Sequence, residues 1–280
     1  MDSIKPADIV ANMVQAGATK AELGPFDLLV RGALSGALLG FATSLAVVAT
    51  VQTGQPIVGA VIFPVGFVMI VLLGLELVTG SFALLPLAML RGRTTPAIVL
   101  TNWSWVFLGN LLGAVIYAAL LVIALTDAGQ LEPTGAAAQI VKIAEAKTAG
   151  YAHFGAAGML TVFVKAILCN WMVCLGVVMA MSSTSTIGRI AGAWMPILIF
   201  FAQGFEHSVV NMFLIPAGMM MGAKVTLADW WIWNQIPVTL GNIVGGLVFT
   251  GLGLFVTYGR EPARPVAADE GGEIEQPARS

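Results

Sequence analysis

Phe200-Phe201-Ala202-Gln203-Gly204-Phe205-Glu206-His207-Ser208-Val209-Val210-Asn211-Met212-Phe213 places four polar side chains within six residues, deep in the apolar run 190–222. A second stretch has the same character: Leu72-Leu73-Gly74-Leu75-Glu76-Leu77-Val78-Thr79-Gly80-Ser81-Phe82, inside the apolar run 57–90. Glycines flank Glu76, and Thr79 and Ser81 follow it, which suits a helix that stops and restarts. Such a break frees backbone N–H and C=O groups, tolerable at membrane depth only inside protein or beside water. A kinked but continuous helix, with Glu76 bonded to backbone donors, is the simpler alternative.

The surrounding chain explains why depth in a membrane is the relevant setting. Of 280 residues, 58% are apolar and 10% charged, with a mean hydropathy of +0.90; a soluble domain carries roughly 25% charged residues. A soluble enzyme, a disulfide scaffold and a disordered chain are excluded. The net charge of −2 gives no support to a nucleic-acid partner. Cys169 and Cys174, five apart, suit neither a metal knuckle nor a redox pair, and no cofactor, metal or catalytic motif is evident. The chain reads as an all-α integral membrane protein.

Six segments are long enough to span a bilayer, roughly 28–51, 57–90, 97–125, 157–182, 190–222 and 237–258. The second and fifth are too long for one simple span. With six crossings, nine Lys and Arg residues fall on one side and four on the other, placing both termini in the cytoplasm of an inner membrane. Residues 1–26, with Ile4, Ile9, Val10, Met13 and Val14 at helical spacing, read as an amphipathic interfacial segment. Residues 27–258 form the membrane domain, and 259–280, rich in Pro, Ala, Glu and Gly, read as a disordered cytoplasmic tail. Trp230, Trp231 and Trp233 read as an interfacial belt.

The halves repeat. Val30-Arg31-Gly32-Ala33-Leu34-Ser35 resembles Val164-Lys165-Ala166-Ile167-Leu168-Cys169, 134 residues later. Gly74-Leu75-Glu76 matches Gly204-Phe205-Glu206 at 130, and Leu108-Gly109-Asn110-Leu111-Leu112-Gly113 matches Leu240-Gly241-Asn242-Ile243-Val244-Gly245 at 132. Three matches in order at a nearly constant offset indicate a duplication of three spans plus three. Three is odd, so the second copy enters the membrane inverted. Inverted repeats place the conducting site at the repeat interface, at interrupted segments in matching positions.

Restarted half-helices present N-termini with partial positive charge, which favour an anion. His207 exchanges a proton near neutral pH in its unperturbed state; its structural alternative is a neutral ring bonded to Asn211. Bare carboxylates beside the path would repel anions, so Glu76 and Glu206 are expected to fix the breaks by accepting backbone N–H bonds, with Asn211 as a further structural group. Asn170, mid-span, either contacts substrate or satisfies broken backbone. Lys165 lies near the external end of its span. The small-residue pairs at Gly32, Gly36, Gly40, Gly109, Gly113, Gly241 and Gly245 permit close helix contacts.

On Cys169-Asn170-Trp171-Met172-Val173-Cys174-Leu175, Gly204-Phe205-Glu206-His207-Ser208 with Asn211-Met212-Phe213, and Ile236-Pro237-Val238-Thr239-Leu240-Gly241-Asn242, the chain resembles the formate–nitrite transporter family over roughly residues 5–260. The resemblance implies an aquaporin-like protomer with broken second and fifth helices, in a homopentamer with one pore per subunit. It makes His207 the central pore histidine and Thr79 its partner. Leu77 and Val78 then form the cytoplasmic constriction, with Val78 replacing a common aromatic. Phe63 and Phe200 form the external one, and Asn170 and Val173 line the pore. Many members carry an external lysine sixteen positions before the Asn of the Cys-Asn-Trp motif. Phe154 stands there in this chain, with His153 adjacent and Lys147 seven residues earlier, so either a loop shift supplies that charge or it is missing.

The implied function is passage of a small monovalent anion, such as formate or nitrite, with proton exchange at His207. A neutral-solute channel of aquaporin type shares the repeat but would show Asn-Pro-Ala at both breaks, and this chain has it at neither. An intramembrane enzyme built on His207-Ser208 is disfavoured, because adjacent helical residues point about 100° apart.

Overall fold

A computed structural model describes residues 3–259, so all but the first residue of the expected tail 259–280 lies outside the described residues. Among them every regular element is helical, apart from an isolated antiparallel bridge between Ser3 and Ser183. Helix α1 (Pro6–Ala21) precedes the long α2 (Pro25–Thr53). Three short helices follow, α3 (Pro56–Ile62), α4 (Pro64–Leu72) and α5 (Val78–Leu90), then the long α6 (Pro96–Leu125). Next come α7 (Gly135–Ala146), the single turn α8 (Ala149–Ala152), α9 (Gly155–Ala180), α10 (Thr186–Ala202) and α11 (Ser208–Met220). The final run, Leu227–Tyr258, holds α12 (Leu227–Trp230), α13 (Ile236–Val244) and α14 (Gly253–Tyr258), joined by π-helical turns at Trp231–Gln235 and Gly245–Leu252. Proline opens α1, α2, α3, α4 and α6, a position where its missing N–H costs nothing.

Four runs are long and apolar enough to cross a membrane: Pro25–Thr53, Pro96–Leu125, Gly155–Ala180 and Leu227–Tyr258. The remaining two expected segments are pairs of shorter apolar helices, Pro56–Leu72 with Val78–Leu90 and Thr186–Ala202 with Ser208–Met220. Both interruptions read from the sequence are therefore breaks and not kinks.

Close contacts set the direction of each long helix. Helices α2 and α6 run parallel, Gly32 lying against Gly109 and Gly113 against the Ala33 backbone. Helix α13 lies on α9 in the same way, Gly241 against Phe163 and Ala166 and Gly245 against Ile167 and Trp171. The small residues thus serve contacts within one chain. A Cβ at Gly113 would overlap the Ala33 carbonyl. Gly113→Leu should therefore separate α2 from α6 and cost at least about 1–3 kcal/mol; a melting temperature in detergent within a degree of the parent would refute this.

Helix α1 sits where α2 begins, and Val10 and Met13 are buried against Leu84 and Leu87 of α5. The stripe expected to lie on the membrane is thus turned onto protein. Helix α7 sits at the opposite end of α2, where Ala136 and Ile140 share a cavity with Phe41, Leu45, Leu121 and Leu125. Helix α9 starts beside α7 and ends at the α1 face, where the Ile4 N–H donates to the Ser182 carbonyl at 2.9 Å; it is antiparallel to α2. Trp230 is not a surface anchor: it is 5% exposed, packs with Ile215 and Val225, and donates its indole N–H to Gln235.

Candidate functional site: two helix breaks joined by Thr79 and His207

Each break is made by the same local chemistry. Helix α4 ends at Leu72; Gly74 takes φ +63°, and the Leu75 N–H reaches back to the Ile70 carbonyl at 3.0 Å. Helix α10 ends at Ala202; Gly204 takes φ +64°, and the Phe205 N–H reaches the Phe200 carbonyl at 3.2 Å. This is the glycine-terminated helix stop in which a left-handed residue closes the last turn. The chain then runs extended through Leu77 and His207, whose φ/ψ are −118/117° and −109/122°, and α5 and α11 begin at the next residue.

An asparagine bridges each gap. Asn110 Oδ1 accepts the Val78 N–H at 3.0 Å, while its Nδ2 donates to the Glu76 carbonyl at 2.9 Å and the Gly32 carbonyl at 2.9 Å. Asn242 Oδ1 accepts the Ser208 N–H at 2.9 Å, while its Nδ2 donates to the Glu206 carbonyl at 3.0 Å and the Ala166 carbonyl at 2.8 Å. A carboxamide offers the donor and acceptor of a peptide group, so each asparagine replaces the helical bonds that the break removes. Both are fully buried. Ser35 reinforces the first gap, its hydroxyl hydrogen-bonded to the Glu76 carbonyl and to Asn110 Nδ2.

The carboxylates of Glu76 and Glu206 are held differently from expectation. Among the described residues side-chain donors hold them, and no backbone N–H does so. Lys20 Nζ lies 2.7 and 2.8 Å from the two oxygens of Glu76. Lys147 Nζ lies 2.7 Å from Glu206 Oε2, Tyr151 donates its hydroxyl to Oε1 at 2.7 Å, and Asn211 Nδ2 donates to Oε2 at 2.8 Å. Several nearby backbone donors are engaged elsewhere: the Leu75 and Phe205 N–H groups close the glycine turns, the Val78 and Ser208 N–H groups meet the bridging asparagines, and the Glu206 N–H donates to the Lys165 carbonyl. The lysines are fixed in turn, Asn102 Nδ2 donating to the Lys20 carbonyl and Asn234 Nδ2 to the Lys147 carbonyl, each at 2.9 Å. Burial and the neighbouring Glu206 charge push the Tyr151 phenol up from its ordinary value, so it remains a donor throughout the physiological range.

One contact joins the two breaks. Thr79 Oγ1 and His207 Nε2 are 3.0 Å apart, and both residues are buried. His207 Nδ1 accepts the Val210 N–H at 3.2 Å, capping α11. With Nδ1 occupied as an acceptor, the neutral ring carries its proton on Nε2 and donates to Thr79. The Asn211 backbone N–H donates to the His207 carbonyl at 3.0 Å, but among the described residues its side chain does not reach the His207 ring; its Nδ2 serves Glu206 and Asn234. Asn170 sides with the backbone, its Nδ2 donating to the Thr79 carbonyl at 3.1 Å and the Asn242 carbonyl at 2.6 Å, while Cys174 Sγ donates to the same Thr79 carbonyl at 3.2 Å. The His207 ring faces Thr79 and not Ser208, whose hydroxyl has no partner among the described residues, so the pair forms no nucleophile and base.

Apolar rings pack around this contact. The Phe200 ring lies over His207 at 5.8 Å and meets Phe63 edge-on at 5.7 Å; Phe201 stacks on Phe63 at 3.9 Å. A cavity of about 530 Å³ opens at the α1 face and reaches Leu77 and Gly80. Another, of about 650 Å³, opens at the α7 face and reaches Glu206. Thr79 and His207 lie between them. Leu77 lines the first cavity; Val78 and Val173 are buried in the packing beside it. Reading the sequence missed Lys20, Tyr151, Asn102 and Asn234, named Lys147 only as a stand-in for the family's external lysine, and gave Asn110 and Asn242 no task. The signal was present: Asn102 and Asn234, like Asn110 and Asn242, are 132 residues apart.

Comparison with known proteins identifies the family. A family model described as formate/nitrite transporter matches residues 7–256. A probable formate transporter of Methanothermobacter thermautotrophicus is 40% identical over 93% of this chain and 97% of its own length. Among solved structures, an FNT family ion channel superposes with a TM-score of 0.79 at 30% identity, covering 89% of this chain and 98% of that one. A pentameric formate channel with formate bound superposes with a TM-score of 0.69 at 25% identity, covering 84% and 98%. On a match running almost from end to end, the chain belongs to the formate/nitrite transporter family, and is a multi-pass membrane channel or transporter rather than an enzyme.

Proposed function

We propose that this chain conducts small monovalent anions, formate or nitrite, through a pore in each subunit of a homopentamer, with proton exchange at His207. The observation that carries the reading is the Thr79–His207 contact, which sits between two cavities opening at opposite faces. Formate and a pentamer are supported by the neighbour described as a pentameric formate channel with formate bound. In this reading the chain crosses an inner membrane six times, as a 3+3 inverted repeat of aquaporin type with both termini cytoplasmic. The matched glycine turns, bridging asparagines and lysine–glutamate pairs support the repeat, and the opposite directions of α2 and α9 support its inversion.

The roles follow from electrostatics. Helices α5 and α11 restart at Val78 and Ser208 and direct N-terminal partial charges toward the midpoint, which favours an anion there. Leu77 with Val78 on one side, and Phe63 with Phe200 on the other, exclude water and hydrated ions. A charge at membrane centre costs at least about 2.5–3.5 kcal/mol, so a bare anion needs compensation in the narrow parts. A proton taken from water makes His207 the imidazolium, which passes that proton to the anion and returns to the neutral ring; the neutral acid then crosses the apolar neck and releases the proton to water on the far side. Asn170 keeps the Thr79 carbonyl in place, and Val173 packs beside it. Glu76, Glu206 and Asn211 hold the breaks open. A second reading keeps the substrate anionic, with His207 Nε2–H as donor throughout; it is favoured by the cap bond from Val210 to Nδ1, which an imidazolium would give up.

The deciding experiment records formate uptake and internal pH together in proteoliposomes. One proton per formate supports exchange; formate flux with no proton movement supports the anionic reading; absence of formate and nitrite flux from folded protein refutes both. A narrower prediction concerns size. Phe200→Ala removes the ring between Phe63 and His207, so acetate and lactate flux should rise about tenfold relative to formate, since one ring is worth more than the 1–3 kcal/mol of a single methylene in a pocket. An unchanged lactate-to-formate ratio would mean that Phe200 does not line the neck.

A further inference from the structure

We infer that Cys174 is a positioning residue for the anion path. Together with Asn170 it clamps the Thr79 carbonyl, so the residue whose hydroxyl meets His207 keeps one position and turns no free acceptor on a passing anion. This deepens the reading above and rests on it. Asn170 and Cys174 lie one turn apart on α9, and both are buried. Asn170 Nδ2 donates to the Thr79 carbonyl at 3.1 Å, and Cys174 Sγ donates to it at 3.2 Å. Asn170 Nδ2 also donates to the Asn242 carbonyl at 2.6 Å. With two carbonyls on one side of the carboxamide, its nitrogen must lie there, since only the nitrogen can donate. The clamp therefore ties the first turn of α5 to α13, whose Asn242 bridges the second break.

The clamp stands outside the repeat. At the offset of 134 that relates Val30–Ser35 to Val164–Cys169, Asn170 and Cys174 match Gly36 and Gly40. Those glycines have no side chain to donate, and they pack against the Asn110 carbonyl and the Tyr117 ring. At the offset of 130 that relates the two breaks, Thr79 matches Val209, which has no hydroxyl. Glycine turns, bridging asparagines and lysine–glutamate pairs occur in both halves and serve the breaks as such. The hydroxyl and the two donors on its carbonyl occur together and once, so they serve what happens at Thr79. Space is kept for them: a Cβ at Gly246 would stand 2.7 Å from Asn170 Nδ2 and 2.9 Å from Cys174 Sγ. Gly80, whose nitrogen shares the peptide with that carbonyl, lines the cavity at the α1 face. A carbonyl oxygen is the negative end of its peptide dipole, and such charges act strongly in a low-dielectric interior. Each donor added to it withdraws part of that charge. The midpoint then presents the His207 Nε2–H and the Thr79 hydroxyl as donors held in place before the anion arrives.

The test measures formate uptake by proteoliposomes over a range of formate concentrations, with size exclusion and a melting curve for each protein. Cys174→Ala should lower the saturating rate about threefold, the size of one weak S–H···O contact, with half-saturation within about twofold. Its assembly and melting should match the parent. Cys174→Ser keeps a donor in the same place and should restore the parent rate. Gly246→Ala changes no polar group but pushes both donors off the carbonyl, and should lower the rate about tenfold. If Cys174→Ala conducts like a conducting parent, the clamp is refuted and the pore reading stands. Equal losses in Cys174→Ala and Cys174→Ser, or a loss matched by poorer assembly or melting, would make Cys174 a packing residue and sink the proposal. Parent-like flux in assembled Gly246→Ala also overturns it. Absence of flux in the parent refutes the pore reading itself.

Discussion

Replacing His207 with phenylalanine should leave an assembled protein whose anion flux falls by roughly 30- to 150-fold. The phenyl ring fills the same space, so the packing of Phe200 against it survives. It has no polar atoms, so Thr79 Oγ1 and the Val210 N–H each lose a partner 3.0 and 3.2 Å away. Losing the cap costs about 1 kcal/mol, small enough for the fold to persist in a chain whose core is otherwise intact. Flux suffers more. An anion at the midpoint loses a charge-assisted bond of about 2–3 kcal/mol, which corresponds to a roughly 30- to 150-fold lower rate at ~1.4 kcal/mol per factor of ten. Stopped-flow uptake by the purified His207→Phe protein checks this, with size exclusion reporting assembly. Parent-like, pH-dependent uptake would remove His207 from the mechanism.

The larger loss of stability is expected at Asn242→Leu. One side chain there satisfies the Ser208 N–H and the carbonyls of Glu206 and Ala166, all within 3.0 Å and all inside the protein. Leucine matches its size but leaves the Ser208 N–H and the Glu206 carbonyl, both at the break, unpaired at about 1–3 kcal/mol each, while the Ala166 carbonyl keeps its helical bond within α9. The sum is a large fraction of the stability of a typical domain. Little assembled protein should survive extraction, and what survives should melt well below the parent. A variant that melts like the parent would show that water, and not Asn242, serves the break. Asn110→Leu tests the other gap by the same bonds, from Val78 N–H to the carbonyls of Glu76 and Gly32.

These two residues illustrate how far the sequence could be read. The position of each break was legible, because Gly74 and Gly204 sit two residues before a lone glutamate in an apolar run, and only glycine accepts the left-handed turn at low cost. Asn110 and Asn242 were visible as repeat markers only. Their task depends on α6 and α13 lying against the breaks, more than thirty residues away along the chain. The pairing of Lys20 with Glu76 and of Lys147 with Glu206 was hidden for a similar reason. A lysine in an amphipathic helix reads as a solvated charge until the helix is docked, and only then does its ammonium meet a buried carboxylate.

The amino-acid sequence alone determined that this chain lives in a membrane, that three motifs recur in order at a nearly constant offset, and that two apolar runs are interrupted at Glu76 and Glu206. Composition, spacing and glycine chemistry are local properties, and they need no partner to be read. The tertiary structure decided which groups satisfy the interrupted backbone, which cations are neutralised, and that Thr79 and His207 meet although 128 residues separate them. Those outcomes rest on pairing across the chain. In an interior without water each polar group must find a partner from another helix, and the identity of that partner is fixed only when the helices pack.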